Sequence, residues 1–161
     1  MKIDAGDPGT RSRDGAALGL RVAIIAAEFN AAIVDVLVEG ARDALLAAGA
    51  SPENLPVVRV PGAWELPLAA LGLVDEGGYD GIVALGCVIR GETAHFDFVA
   101  GAAMDGLLGV MLDHRIPIGL GVLTTEDELQ AQARAGGKHG NKGEEAAHAA
   151  LDMIGLLKGR A

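Results

Sequence analysis

Apolar runs broken by glycine and polar turns divide this chain into alternating strands and helices. Val22-Ala23-Ile24-Ile25-Ala26-Ala27 is continuous rather than alternating, the pattern of a strand buried on both faces of a parallel sheet. After Glu28-Phe29-Asn30, residues Ile33, Leu37, Ala41, Ala44, Leu45 and Ala48 recur at helical spacing, and Gly49 offers a C-cap. Ser51 to Asn54 reads as a turn and Leu55 to Val60 as a second strand. Pro61-Gly62-Ala63-Trp64-Glu65 leads into a helix with Pro67 in its first turn, where a missing N–H costs little, and Gly77-Gly78 stops it. Gly81 to Val88 is the third strand, His95 to about Asp113 a helix, and Pro117 to Leu123 the fourth strand. Thr124 or Thr125 is expected to cap a helix running to about Ala135, with Glu126, Asp127 and Glu128 in the dipole-favoured first turn. Gly136 to Asn141 breaks it, and Lys142 to Leu157 forms a last amphipathic helix.

Four strands alternating with helices imply a doubly wound α/β fold, a three-layer α/β/α sandwich on a four-stranded parallel sheet. The length of 161 residues suits one domain, and no internal repeat appears. Residues 1–20 lack periodicity and read as a flexible arm that gains order against a partner, leaving 21–161 as the single domain.

Composition narrows the picture. Half the residues are apolar but only five are aromatic, so the core is expected to be aliphatic. A net charge of −9, with basic residues grouped only around Arg11, Arg13 and Arg21, argues against a nucleic-acid partner. No uninterrupted apolar run approaches the roughly 18 residues that span a bilayer, and Met-Lys-Ile-Asp begins the chain without a signal-like apolar region. A soluble, cytoplasmic protein is expected. Cys87 is the only cysteine, which rules out an intrachain disulfide and makes a cysteine-based metal site improbable.

In an open α/β sheet, ligands gather beyond the carboxyl ends of the strands, where helix N-termini present unpaired N–H groups. Three such ends carry candidates: Phe29-Asn30, Ala63-Trp64-Glu65, and the stretch from Cys87 to His95. Phe29 and Trp64 either stack on a heterocycle or staple helix starts, and Glu65 either accepts ligand hydrogen bonds or caps its helix. Glu92, Thr93 and Ala94 could offer N–H groups to an anion, and His95 could carry protons for it. Arg90 reads as a solvated charge. Cys87 lies within a strand run, where a thiol is usually inert, so a Cys–His hydrolase is disfavoured. His139 and His148 lack ligand spacing, and His148 with Asp152 reads as a surface helix pair. Arg134, Lys138 and Lys142 are either an anion site or cations at a helix C-terminus.

Five stretches in order resemble the 6,7-dimethyl-8-ribityllumazine synthases of riboflavin biosynthesis. They are Phe29-Asn30, Val60 to Pro67, Leu85 to Asp97 with Arg90-Gly91-Glu92-Thr93-Ala94-His95 at its centre, Gly121 to Glu126, and Arg134 to Gly143. The resemblance covers nearly everything from Arg21 to Leu157 and implies a flavodoxin-like sandwich. It also implies condensation of 5-amino-6-(D-ribitylamino)uracil with 3,4-dihydroxy-2-butanone 4-phosphate, releasing phosphate and water, without a metal or organic cofactor.

By that likeness Phe29 stacks on the pyrimidine, with Asn30 beside it, and Ala63, Trp64 and Glu65 hold the ribityl chain. Cys87, Val88 and Ile89 read the ring edge through backbone groups. Glu92 and Thr93 meet the butanone phosphate, Arg134 pairs with it together with Lys142, and His95 moves protons. Leu120 stands where many members carry phenylalanine, and Cys87 where threonine is frequent. The resemblance further implies a homopentamer with sites between subunits, Leu120, Arg134 and Lys142 coming from the neighbour, and the arm partly joining a neighbour's sheet. An icosahedral capsid of pentamers enclosing riboflavin synthase is the expected larger assembly. A catalytically idle flavin- or lumazine-binding relative is the alternative; retention of both His95 and Arg134 argues against it.

Overall fold

The computed structural model describes residues 11–159. Strands β1 (Val22–Ala27), β2 (Val57–Val60), β3 (Gly81–Ile89) and β4 (Ile118–Thr125) form one parallel sheet in the order β2-β1-β3-β4. Helices α1 (Ala31–Ala47), α2 (Leu66–Glu76), α3 (His95–His114), α4 (Glu128–Arg134) and α5 (Lys142–Leu157) connect and flank it. The expected flavodoxin-like sandwich is therefore the observed fold.

The unbroken apolar runs have the predicted cause. Along β1, Val22, Ile24 and Ala26 face a cluster built with α1 and α5, while Ala23 and Ile25 face one built with α2 and α3. All six β1 residues are buried. On the α5 side the layers meet backbone to backbone: a Cβ on Gly119 would overlap the Ala146 carbonyl, and one on Gly143 the Leu37 carbonyl of α1.

Several expectations need correction. Thr124 and Thr125 do not cap a helix; they extend β4, pairing with Val88 and Ile89, and Asp127 caps α4 by accepting from the Gln130 N–H at 2.8 Å. Residues 136–141 do not merely break the chain, because Ala135–Gly137 (β5) and Gly140–Asn141 (β6) pair as a small antiparallel hairpin. Asn141 then caps α5, its side chain accepting from the Gly143 and Glu144 N–H groups.

The arm expected over residues 1–20 divides in two. Residues 1–10 lie outside the described residues, whereas Ala17 and Leu20 are buried in the α1/α5 cluster. Arg13 donates from Nε and Nη2 to the Asp152 carboxylate at 2.9 and 2.8 Å. Asp152 is thus engaged by Arg13 rather than paired simply with His148, whose pKa is lowered by burial and then by the Arg13 charge.

By length and composition α3 could cross a membrane. Ala100, Ala103 and Leu107 are instead buried in this domain, while Phe98, Leu108 and Leu112 stand exposed.

Candidate active site

The strand order places the crevice. From β1 the chain moves outward to β2, then returns across to β3, so the connections after β1 and β3 leave in opposite directions and open a gap between them. The last residue pair of β1 with β3 is Ala26 with Leu85, yet β3 runs on to Ile89. The β3 backbone therefore outreaches its neighbour and borders the gap with main-chain polar groups.

A crevice of about 640 Å³ fills that gap. Phe29 from the end of β1, Ala63 and Trp64 from a short 3₁₀ turn after β2, and Cys87, Val88 and Ile89 from β3 line it together with Thr93 and His95. Eight residues expected from sequence thus meet in one place. Phe96 and Phe98, not singled out from the sequence, line it as well, so four of the five aromatics share one wall system. Phe29 and Trp64 are 71% and 61% exposed, too open to be staples packing helix starts.

Asn30 makes a contact that the sequence does not reveal. It sits in the left-handed region at φ 59°, a conformation asparagine tolerates better than most residues, and its Nδ2 donates to the Cys87 carbonyl at 2.8 Å. The side chain ties the end of β1 to β3 and so fixes the Phe29 ring relative to the β3 edge.

His95 opens α3. Its N–H donates to Thr93 Oγ1 at 3.3 Å, and no side chain caps the helix at Ala94. Glu92 is exposed on the loop before it, and Glu65 is half-buried beside Trp64. Burial, and secondarily the Glu128 carboxylate, push the Cys87 thiol up to about 11. It remains a thiol at neutral pH, which removes the chemical basis for a Cys–His nucleophile. Among the described residues no group of three or more His, Cys, Asp or Glu side chains is placed to hold a metal.

Arg90 is not simply solvated. Its Nε donates to Glu126 at 2.8 Å, its Nη1 lies 3.3 Å from the Asp97 carboxylate, and its guanidinium stands 4.3 Å over the Phe96 ring. Hydrogen bonds to Asp97 and then Glu126 raise its pKa further.

Of the expected residues, Asn30, Glu65 and Glu92 stand beside the crevice without lining it, and three more lie on other parts of the chain. Leu120 lines a separate apolar groove with Met104, Leu108 and Met111. Arg134 Nη1 donates to the Gln130 carbonyl at 2.9 Å, and Lys142 pairs with Glu145. Among the described residues, the crevice lining contains no lysine or arginine.

Comparison with known proteins converges on one family. Residues 19–158 match the family model described as 6,7-dimethyl-8-ribityllumazine synthase. Proteins of that name from Xanthomonas euvesicatoria pv. vesicatoria (strain 85-10) and Xanthomonas oryzae pv. oryzae (strain PXO99A) are each 50% identical over 138 residues, 86% of this chain and 90% of theirs. Both strand-end motifs and crevice fall within the matched span, and this chain belongs to the 6,7-dimethyl-8-ribityllumazine synthase family.

Proposed function

We propose that the crevice joins 5-amino-6-(D-ribitylamino)uracil to 3,4-dihydroxy-2-butanone 4-phosphate, and that it is completed by a neighbouring subunit. The enzyme is a 6,7-dimethyl-8-ribityllumazine synthase acting in riboflavin biosynthesis. Phe29 and Trp64 offer flat faces to the pyrimidine and its ribityl chain, with Ala63 and Glu65 alongside, and the Cys87–Ile89 backbone reads the ring edge. Asn30 serves that half of the site by fixing Phe29.

The phosphorylated ketone lies toward the Glu92–Thr93 loop and the start of α3, whose N–H groups and positive dipole end suit an anion. The 5-amino group attacks the ketone carbonyl, water leaves to give an imine, phosphate is eliminated, and ring closure by the ribityl-bearing nitrogen expels water. Each step moves protons, and His95 at the mouth of the loop is the carrier. Every step is a proton transfer, addition or elimination, so no electrons are gained or lost overall.

The single observation carrying this reading is the convergence of Phe29, Trp64, the Cys87–Ile89 edge and His95 on one crevice. Mixing purified protein with both substrates tests it: fluorescent lumazine and free phosphate should appear together above the uncatalysed background. Background rates alone would contradict the reading.

That no lysine or arginine among the described residues lines the crevice supports a shared site. Arg134 and Lys142 of a neighbour would neutralise the phosphate, and the neighbour's Leu120 would close the pyrimidine side. The exposed apolar residues Phe98, Leu108 and Leu112 on α3 favour burial between copies. We take the assembly to be a homopentamer, packed into an icosahedral capsid that encloses riboflavin synthase in the cytoplasm; electron microscopy decides its form.

Arg134→Ala should raise KM for the phosphorylated substrate about 10- to 100-fold, the worth of a charge-assisted hydrogen bond. An unchanged KM would take Arg134 out of the site. Co-expressing His95→Asn with Arg134→Ala should restore about a quarter of the sites, because in a ring of unlike contacts some interfaces pair two intact halves. Activity no higher than that of either variant alone would contradict sharing.

A further inference from the structure

We propose that Arg90 is a positioning residue for the β3–α3 loop, clamping it to the start of the β4–α4 connection and holding the Phe96 ring as a wall of the crevice. The proposal rests on the phosphate-side reading of that loop given above. Arg90 immediately follows β3, and its N–H donates to the Thr125 carbonyl at 2.8 Å, so its backbone is anchored to the end of β4. Its side chain then reaches both ways, to Glu126 beyond β4 and to Asp97 in the first turn of α3.

The segment between Arg90 and Asp97 has little else to hold it. Residues 91–95 are all exposed, the helix start lacks a side-chain cap, and a Cβ on Gly91 would meet open space. A short loop pinned at both ends by one side chain has far fewer conformations than one pinned only at its origin. The N–H groups of Glu92, Thr93 and Ala94 and the imidazole of His95 are the groups that this restriction sets.

Phe96 gives the clamp a second consequence. Its ring lines the crevice and lies beneath the guanidinium, so Arg90 joins loop geometry to the shape of the aromatic wall. A planar guanidinium can hold two carboxylates in fixed directions while stacking on a ring. A lysine ammonium cannot do all three.

Exposure separates this role from general stabilisation. Ion pairs as open as these contribute little to global stability, so losing the clamp should register in the site rather than in the melting temperature.

The experiment compares wild type with Arg90→Gln, Arg90→Lys and Glu126→Gln, the last breaking one anchor outside the crevice. Each is measured for kcat, both KM values, thermal midpoint and inorganic phosphate affinity followed through the His95 imidazole resonances. Arg90→Gln should raise both the KM for the phosphorylated substrate and the phosphate Kd about tenfold, with the pyrimidine KM within about twofold of wild type. Arg90→Lys and Glu126→Gln should fall between. Unchanged phosphate affinity, or an equal rise in both KM values with a falling midpoint, would overturn the clamp. Wild type that makes no lumazine would sink the functional reading instead, and phosphate affinity would still decide the role of Arg90.

Discussion

Replacing His95 with asparagine is expected to lower kcat about 10²-fold while both KM values stay within about threefold, the mark of a group that acts in proton transfer rather than binding. Asparagine retains a hydrogen-bonding side chain of similar reach but cannot pass a proton between substrate groups. Activity should not vanish. The crevice would still hold the amine against the carbonyl, and confinement alone recovers much of the cost of bringing two reactants together. Steady-state lumazine formation with parallel phosphate release measures this, and a kcat within about twofold of wild type would remove His95 from the chemistry.

Gly143→Ala should be the most damaging small substitution for stability. Its Cβ would overlap the Leu37 carbonyl oxygen, part of the α1 backbone, which cannot swing aside as a side chain can. The two helices would have to separate, loosening Leu37, Val34, Ala147 and Leu151 in the larger core cluster. A loss on the order of 3 kcal/mol is expected, lowering the thermal midpoint by roughly 6–12 °C. Gly155→Ala is the control, because a Cβ there meets nothing within 4 Å and the change should stabilise α5 by about 0.5–1 kcal/mol. Equal midpoints for the two variants would contradict the close α1–α5 crossing.

The frame of the fold was legible because burial on both faces leaves an unmistakable run, as in β1, whose observed bounds match those expected. Boundaries failed where a residue type suits two structures. Threonine is both a helix N-cap and a β-branched strand former, and only the register with Val88 and Ile89 assigns Thr124 and Thr125 to β4. Ala17 and Leu20 were missed because the short stretch Ala16-Ala17-Leu18-Gly19-Leu20 is too brief to show a period, though these two residues reach the core. In the crevice, individual motifs disclosed Phe29, Trp64 and His95. Phe96 and Phe98 carried a signal in composition that went unused: a chain with five aromatics, four of them after strand ends, is not spending them on its core. The contacts of Asn30 and Arg90 could not have been read, since each is made with a residue distant in sequence or across a turn.

That distribution of aromatics also governs what optical spectroscopy can see. The only indole, Trp64, borders the crevice, and the only phenol, Tyr79, lies under Arg21, whereas the buried clusters are aliphatic. Tryptophan emission is therefore a built-in reporter of crevice occupancy, sensitive to an absorbing heterocycle stacked nearby. The aliphatic core carries no indole of its own, so its unfolding is better followed through the backbone by circular dichroism.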